Sequence, residues 1–264
     1  MIKQIIIVGL VILLCITLSV YLLQRHLIYF PSKEKPERHQ FHAQDMTQLQ
    51  LPTPDGLQLN AWYKPAHNNQ PTILYLHGNA GHIGYRMPLV RQFLTAGFGV
   101  LLLEYRGYGG NRGKPTEEGL YTDGRTAIHF LLDKGISTRH LVLYGESLGT
   151  GVATKLATEF PICAMVLQSP LASLSAVARY HYPWIFIEPW DKFDSLSRIA
   201  STHVPLLIFH GKQDQIVPFA QGFSLYKQAN DPKRLIILEN KGHNDVWDEK
   251  FAAETIHFIH SYCS

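Results

Sequence analysis

Leu141-Val142-Leu143-Tyr144-Gly145-Glu146-Ser147-Leu148-Gly149-Thr150 decides how the rest of the chain is read. Four apolar residues of strand character run into the pattern Gly-x-Ser-x-Gly, and a helical segment follows from Thr150 to Glu159. A sharp turn from strand to helix strains the residue at its apex. Small neighbours such as Gly145 and Gly149 let the two backbones pack closely. The turn also lifts a serine hydroxyl to the C-terminal edge of a sheet, over a helix N-terminus that favours developing negative charge. A serine between two glycines also suits a plain helix N-cap, but the strand before it and the helix after it set Ser147 apart as the candidate nucleophile.

Outward from this turn, strand and helix alternate. Apolar or alternating runs fall at Gln48–Leu51, Leu57–Tyr63, Thr72–His77, Phe98–Glu104, Ala164–Gln168, Leu206–His210 and Leu235–Glu239. Ile73-Leu74-Tyr75-Leu76, Val100-Leu101-Leu102-Leu103 and Leu206-Leu207-Ile208-Phe209 are nearly unbroken, as in strands buried on both faces of a parallel sheet. Helical segments lie between them at Ile83–Ala96, Glu118–Leu132, Phe219–Gln228 and Asp248–His260. This alternation predicts an α/β domain with right-handed crossovers, spanning residues 45–264 and closing as a mostly parallel eight-stranded sheet with helices on both faces. The first two runs have no helical spacer, and Pro54-Asp55-Gly56 between them predicts an antiparallel hairpin at one edge. Residues 170–203 form an aromatic-rich insertion, expected as a short cap.

A serine hydroxyl needs a base to take its proton. With this type of turn, the acid and then the histidine follow the serine in the chain. His243, in Lys241-Gly242-His243-Asn244-Asp245, directly follows the last strand and is expected at the same sheet edge as Ser147. His257 and His260 sit three apart on the final helix and read as a helix face. His210 ends a strand but precedes the best acid. That acid is Asp214, in the turn leaving Leu206–His210, where a carboxylate can reach the far nitrogen of His243 and fix its tautomer. The intermediate also needs two backbone donors. The amide of Leu148 is one, and the glycine-rich His77-Gly78-Asn79-Ala80-Gly81 offers the amide of Asn79 as the other.

The N-terminus has a separate role. Ile5–Leu23 is an uncharged run of 19 residues. As a helix it measures about 28 Å, close to the ~30 Å hydrocarbon core of a bilayer. No small-residue cleavage site follows, so residues 1–25 are expected to be a retained single-pass anchor and residues 26–44 a polar tether. Lys3 flanks one side, and Arg25, Lys33, Lys35 and Arg38 flank the other, a charge bias that leans towards a cytoplasmic domain.

Composition closes off other classes. The net charge is +3 with scattered Lys and Arg, which is no nucleic-acid footprint. Cys15, Cys163 and Cys263 are odd in number and widely spaced, which reads as neither a disulfide framework nor a zinc site.

With these residues in place, the chain resembles the α/β-hydrolase superfamily, and within it the Bem46-like membrane-anchored hydrolases. The likeness rests on the anchor followed by Leu27-Ile28-Tyr29-Phe30-Pro31, on His77–Gly81, Tyr105-Arg106-Gly107-Tyr108-Gly109 and Gly145–Gly149, on Tyr182-Pro183-Trp184 with Phe193–Leu196, and on His210–Asp214 with Gly242-His243-Asn244. It implies an α/β-hydrolase fold, the same catalytic residues, no metal or cofactor, and action on lipid esters or on thioesters of acylated proteins. Gly110-Asn111-Arg112-Gly113 departs from the Ser-Gly common after Tyr105–Gly109 in this family and leaves the pocket rim open. Gly78, Tyr108, Tyr182 and Trp184 are the expected substrate contacts. The aromatics Tyr180, Tyr182, Trp184, Phe186, Trp190 and Phe193 suit either an acyl chain or the packing of a short cap, and so short a cap predicts no large enclosed cavity. The expectation is an esterase or thioesterase acting on a small-molecule or lipid ester at a membrane. A serine peptidase of the same fold and a non-catalytic scaffold are the alternatives.

Overall fold

Strand-forming runs and amphipathic helices alternate along the chain, and the computed structural model, which describes residues 2–184 and 187–263, gathers the long strands into one eight-stranded sheet. The strands are β1 (Thr47–Pro52), β2 (Gln58–Lys64), β3 (Thr72–Leu76), β4 (Gly99–Leu103), β5 (Leu141–Glu146), β6 (Ala164–Gln168), β7 (Leu206–Gly211) and β8 (Lys233–Leu238). Their spatial order is β8-β7-β6-β5-β3-β4-β2-β1. The β1–β2 and β2–β4 pairs are antiparallel and all others parallel, so the edge hairpin and the parallel body both stand as the sequence predicts.

The helices are α1 (Ile2–Ile28), α2 (Met87–Thr95), α3 (Glu117–Asp133), α4 (Leu148–Ala157), α5 (Leu174–His181), α6 (Ser195–Ile199), α7 (Phe219–Gln228) and α8 (Glu249–Tyr262). Side chains alternate across the strands with period two. Ile73 and Tyr75 of β3 join the core beneath α2 and α8, whereas Leu74 and Leu76 join the core of α3, α4 and α7. The chain steps from β3 to β4 on one side and then returns past β3 to β5 on the other. Open α/β sheets bind ligands at such a reversal, outside the carboxyl ends of the strands. Ser147 follows β5 at that place.

Three features depart from the sequence reading. The helix expected to end at residue 25 continues to Ile28. The stretch 26–44, expected as a tether, begins packed: Tyr29 is buried, and Phe30–Pro31 pairs in parallel with Ala80–Gly81 of the glycine-rich loop. Its partner strand is distant in sequence, so composition alone reads the segment as solvated. The third feature is a disulfide between Cys163, just before β6, and Cys263, just after α8, whose Cα atoms are 5.4 Å apart. It corrects the reading that the cysteines are no disulfide framework, because only folding brings positions 100 residues apart together. Cys15 is free and exposed on α1.

Candidate active site

The loops after β3, β5, β7 and β8 meet at the carboxyl edge of the sheet. Ser147 follows β5 with φ 50° and ψ −115°, a left-handed conformation that a side chain adopts only under strain. The turn is tight enough to require its glycines. A Cβ at Gly145 would lie 2.7 Å from the Cα of Thr150, and one at Gly149 would run into the carbonyl oxygen of Leu76. The turn is closed by hydrogen bonds from the Ser147 amide to the Gln168 carbonyl, 2.9 Å, and from the Thr150 amide to the Ser147 carbonyl, 2.9 Å.

Ser147 Oγ lies 2.9 Å from His243 Nε2, and His243 Nδ1 lies 2.7 Å from Asp214 Oδ2. The Asp214 carboxylate is fully enclosed. Its Oδ1 accepts from the amides of Ile216 and Val217, at 2.9 and 2.8 Å. Its Oδ2 also meets His210 Nε2 at 3.2 Å. Burial pushes this carboxyl group up, but the hydrogen bonds from His210, His243 and the Val217 amide outweigh it and hold the group below the usual carboxylate range. An anion there orients the imidazole with Nδ1–H towards it and leaves Nε2 to accept from the serine.

His210 stands behind the acid. Its Nε2 faces two acceptors, Asp214 Oδ2 and the Val217 carbonyl at 2.8 Å, so it carries the proton. The ring lies so close to α7 that a Cβ at Gly222 would strike its Nδ1. The sequence reading placed His210 near the site without a role. Its position four residues before the acid, on the inward end of β7, is the signal that points to it.

Asn79 and Leu148 flank Ser147 on the wall of one cavity. Neither backbone amide donates to another group among the described residues, and for Leu148 the helix start leaves it free. The Asn79 peptide is held from three sides. Its carbonyl accepts from the Phe30 amide at 2.9 Å and from the Tyr108 hydroxyl at 3.0 Å, and its side chain donates to the Ile28 carbonyl at 2.8 Å.

Two recesses open on the serine. A polar one of about 90 Å³ is lined by Tyr85, Arg86, Glu146, Gln168, His243 and Trp247 among others. Arg86 holds Glu146 through two bonds of 3.0 Å, and the Tyr75 hydroxyl donates to the same carboxylate at 2.9 Å. Burial pushes Glu146 up, but Arg86 and Tyr75 win and keep it anionic below its ordinary range. The second recess is apolar and measures about 530 Å³. It is open rather than enclosed, as a short cap predicts, and owes its size to the end of α1, which supplies a wall that the cap lacks.

The expected substrate contacts divide. Tyr182 lines the apolar cavity. Gly78 lies against the elbow, where an added Cβ would sit 3.2 Å from Glu146 Oε1. Tyr108 is buried behind Asn79 rather than on a cavity wall, and Trp184 is exposed beside Tyr182, lining neither recess. Phe193 is core packing against Tyr121, Trp190 packs on α1, and Phe186 lies outside the described residues. Asn111, where the resemblance breaks, binds the Asn60 amide at 3.0 Å and is buried, so the departure ties a loop to β2 of the edge hairpin rather than shaping a rim. Among the described residues, no group of three or more His, Cys, Asp or Glu is placed to hold a metal ion.

Residues 67–188 match a sequence family described as serine aminopeptidase, S33. The bem46 protein of Schizosaccharomyces pombe is 30% identical over 246 residues, 86% of this chain and 82% of that protein. The chain belongs to the Bem46-like family of α/β-hydrolases. Other relatives are an uncharacterized protein of Mycobacterium tuberculosis, 39% identical over 227 residues (84% of this chain, 81% of that one), and YfhR of Escherichia coli K12, 32% identical over 231 residues (84% and 78%). Among solved structures, the Pyrococcus furiosus esterase Pf2001 superposes on this Bem46-like chain with a TM-score of 0.75 at 21% identity, covering 89% of this chain and 100% of that one, a likeness of fold.

Proposed function

We propose that this protein is a serine hydrolase that cleaves carboxylic esters or thioesters at a membrane through an acyl-enzyme. The observation that carries the reading is the line Ser147–His243–Asp214, with contacts of 2.9 and 2.7 Å, built on a strained turn. His243 Nε2 takes the Ser147 proton as Oγ bonds to the acyl carbon. The carbonyl oxygen becomes an oxyanion held by the amides of Asn79 and Leu148. The bond to the leaving group breaks as the alcohol or thiol takes the proton from His243. Water then repeats the cycle on the same base and releases the acid.

The apolar cavity fits an acyl group. A peptidase reading draws on the description of the matched family. It lacks support at the site, because the carboxylate lining the polar recess, Glu146, is neutralised by Arg86 and offers a peptide amino terminus nothing. Retention of α1 as an anchor is supported by its docking. Gln24 is buried, and Arg25 binds Asp191 at 2.9 and 3.3 Å. The charges flanking α1 lean towards a cytoplasmic domain, but Arg25 is spent on that ion pair. The Cys163–Cys263 bond favours the oxidising side of the membrane, which we take as the orientation.

The test is covalent labelling by a fluorophosphonate, wild type beside Ser147→Ala. Labelling of the wild type alone is expected. An unlabelled, folded wild type would end the catalytic reading and leave the scaffold.

A further inference from the structure

The last turns of α1 carry more than an anchor needs. Val20, Leu27, Ile28 and Phe30 form one wall of the 530 Å³ cavity, and Leu174 and Val177 of α5 stand among the residues opposite. Ser147 and Leu148 close its inner end. The wall is fixed in place. Beyond the Arg25–Asp191 pair, the Trp190 amide donates to Gln24 Oε1 at 2.6 Å, and Tyr21 meets the Trp190 ring edge-on at 5.0 Å.

The cavity also has a place relative to the bilayer. The outward residues from Ile2 to Leu23 are exposed, so α1 presents apolar surface along its length. Its 27 residues span about 40 Å, roughly 10 Å more than a hydrocarbon core. With Ile5–Leu23 across that core, Gln24 to Ile28 stand at the headgroup level and Val20 stays inside it. Tyr21, Phe30, Tyr180, Tyr182, Trp184 and Trp190 are exposed around the same end, in the way aromatics belt a membrane interface. The cavity therefore runs from the hydrocarbon to the serine along α1. On the far side of Ser147 the recess is small, and its one arginine is neutralised by Glu146. It suits a compact uncharged alcohol better than a phosphate or a polypeptide.

Building on the hydrolase reading above, we propose that α1 is a wall of the substrate site. A neutral single-chain ester of the monoacylglycerol type slides from the bilayer along Val20 and Leu27, with its acyl chain in the cavity and its alcohol in the polar recess. Val20 and Leu27 then set the acyl length.

The experiment uses the full chain in phosphatidylcholine vesicles, with octanoyl and palmitoyl monoacylglycerols as substrates and a palmitoyl lysophospholipid and an S-palmitoyl peptide beside them. Val20→Trp and Leu27→Trp fill the cavity from the anchor, and Val177→Trp fills it from the cap should the anchor variants fail to fold. The palmitoyl-to-octanoyl ratio of kcat/KM should fall about tenfold or more. Leu10→Trp, high on α1 and away from the site, should leave the ratio as in wild type. An unchanged ratio in the cavity variants, with fluorophosphonate labelling retained, overturns this inference alone. So does a preference for the lysophospholipid or the S-palmitoyl peptide. Loss of labelling in the wild type itself instead removes the hydrolase reading on which the inference rests.

Discussion

Replacing Asp214 by Asn changes one oxygen to an amino group and leaves the volume almost unaltered, so its effect isolates the charge and the hydrogen-bond polarity. Oδ1 receives two backbone amides, from Ile216 and Val217, and an amino group there would face two donors. The asparagine must therefore turn its oxygen to that side and its amino group towards His243 Nδ1 and His210 Nε2. His243 then accepts at Nδ1 and carries its proton on Nε2, which cannot take the proton of Ser147. A triad locked in the wrong tautomer loses about 10⁴ in kcat, and at ~1.4 kcal/mol per decade that is about 5.5 kcal/mol of barrier. The assay is kcat on a p-nitrophenyl ester, with thermal unfolding of the same sample to show that the fold survives. Asp214→Asn activity within tenfold of wild type would refute the assignment. An inactive Asp194→Asn beside an active Asp214→Asn would move the acid to the cap.

Ser147→Gly should abolish labelling yet stabilise the fold, because glycine relieves a positive φ that costs roughly 1–3 kcal/mol; a raised urea midpoint is the check. Cys263→Ser should lower unfolding free energy by about 2–4 kcal/mol, and dithiothreitol should produce the same loss in wild type but none in the variant. Stability should also fall on the acid side. Asp214 is held below its ordinary range in the folded chain, so its contribution is whole above the unfolded carboxylate value near ~4 and is lost as pH drops towards the folded one. Asp214→Asn should flatten that limb of a denaturation–pH profile.

Much of this was legible in the chain. The unbroken apolar runs at Ile73–Leu76, Val100–Leu103 and Leu206–Phe209 require burial on both faces, and that requirement alone predicts a parallel sheet covered by helices. Ser147, Asp214 and His243 were readable because each follows a strand whose end must lie on one sheet edge, so topology converts positions in sequence into neighbours in space. The turn that sets Asn79 on the same cavity wall as Ser147 was readable from its glycines.

Other features had no such rule. The Arg86–Glu146 pair, the Cys163–Cys263 bond and the packing of Tyr108 behind Asn79 join residues whose separation in sequence carries no period. The largest misreading was of the N-terminus. Hydropathy alone fixes that Ile5–Leu23 can cross a bilayer, because a local run of apolar side chains suffices for that. Whether its last turns hang free or complete a cavity depends on what the fold brings beside them. Only the tertiary structure sets Leu27 and Phe30 across from the cap and over Ser147, because cavity shape is a sum over distant side chains that no local pattern encodes.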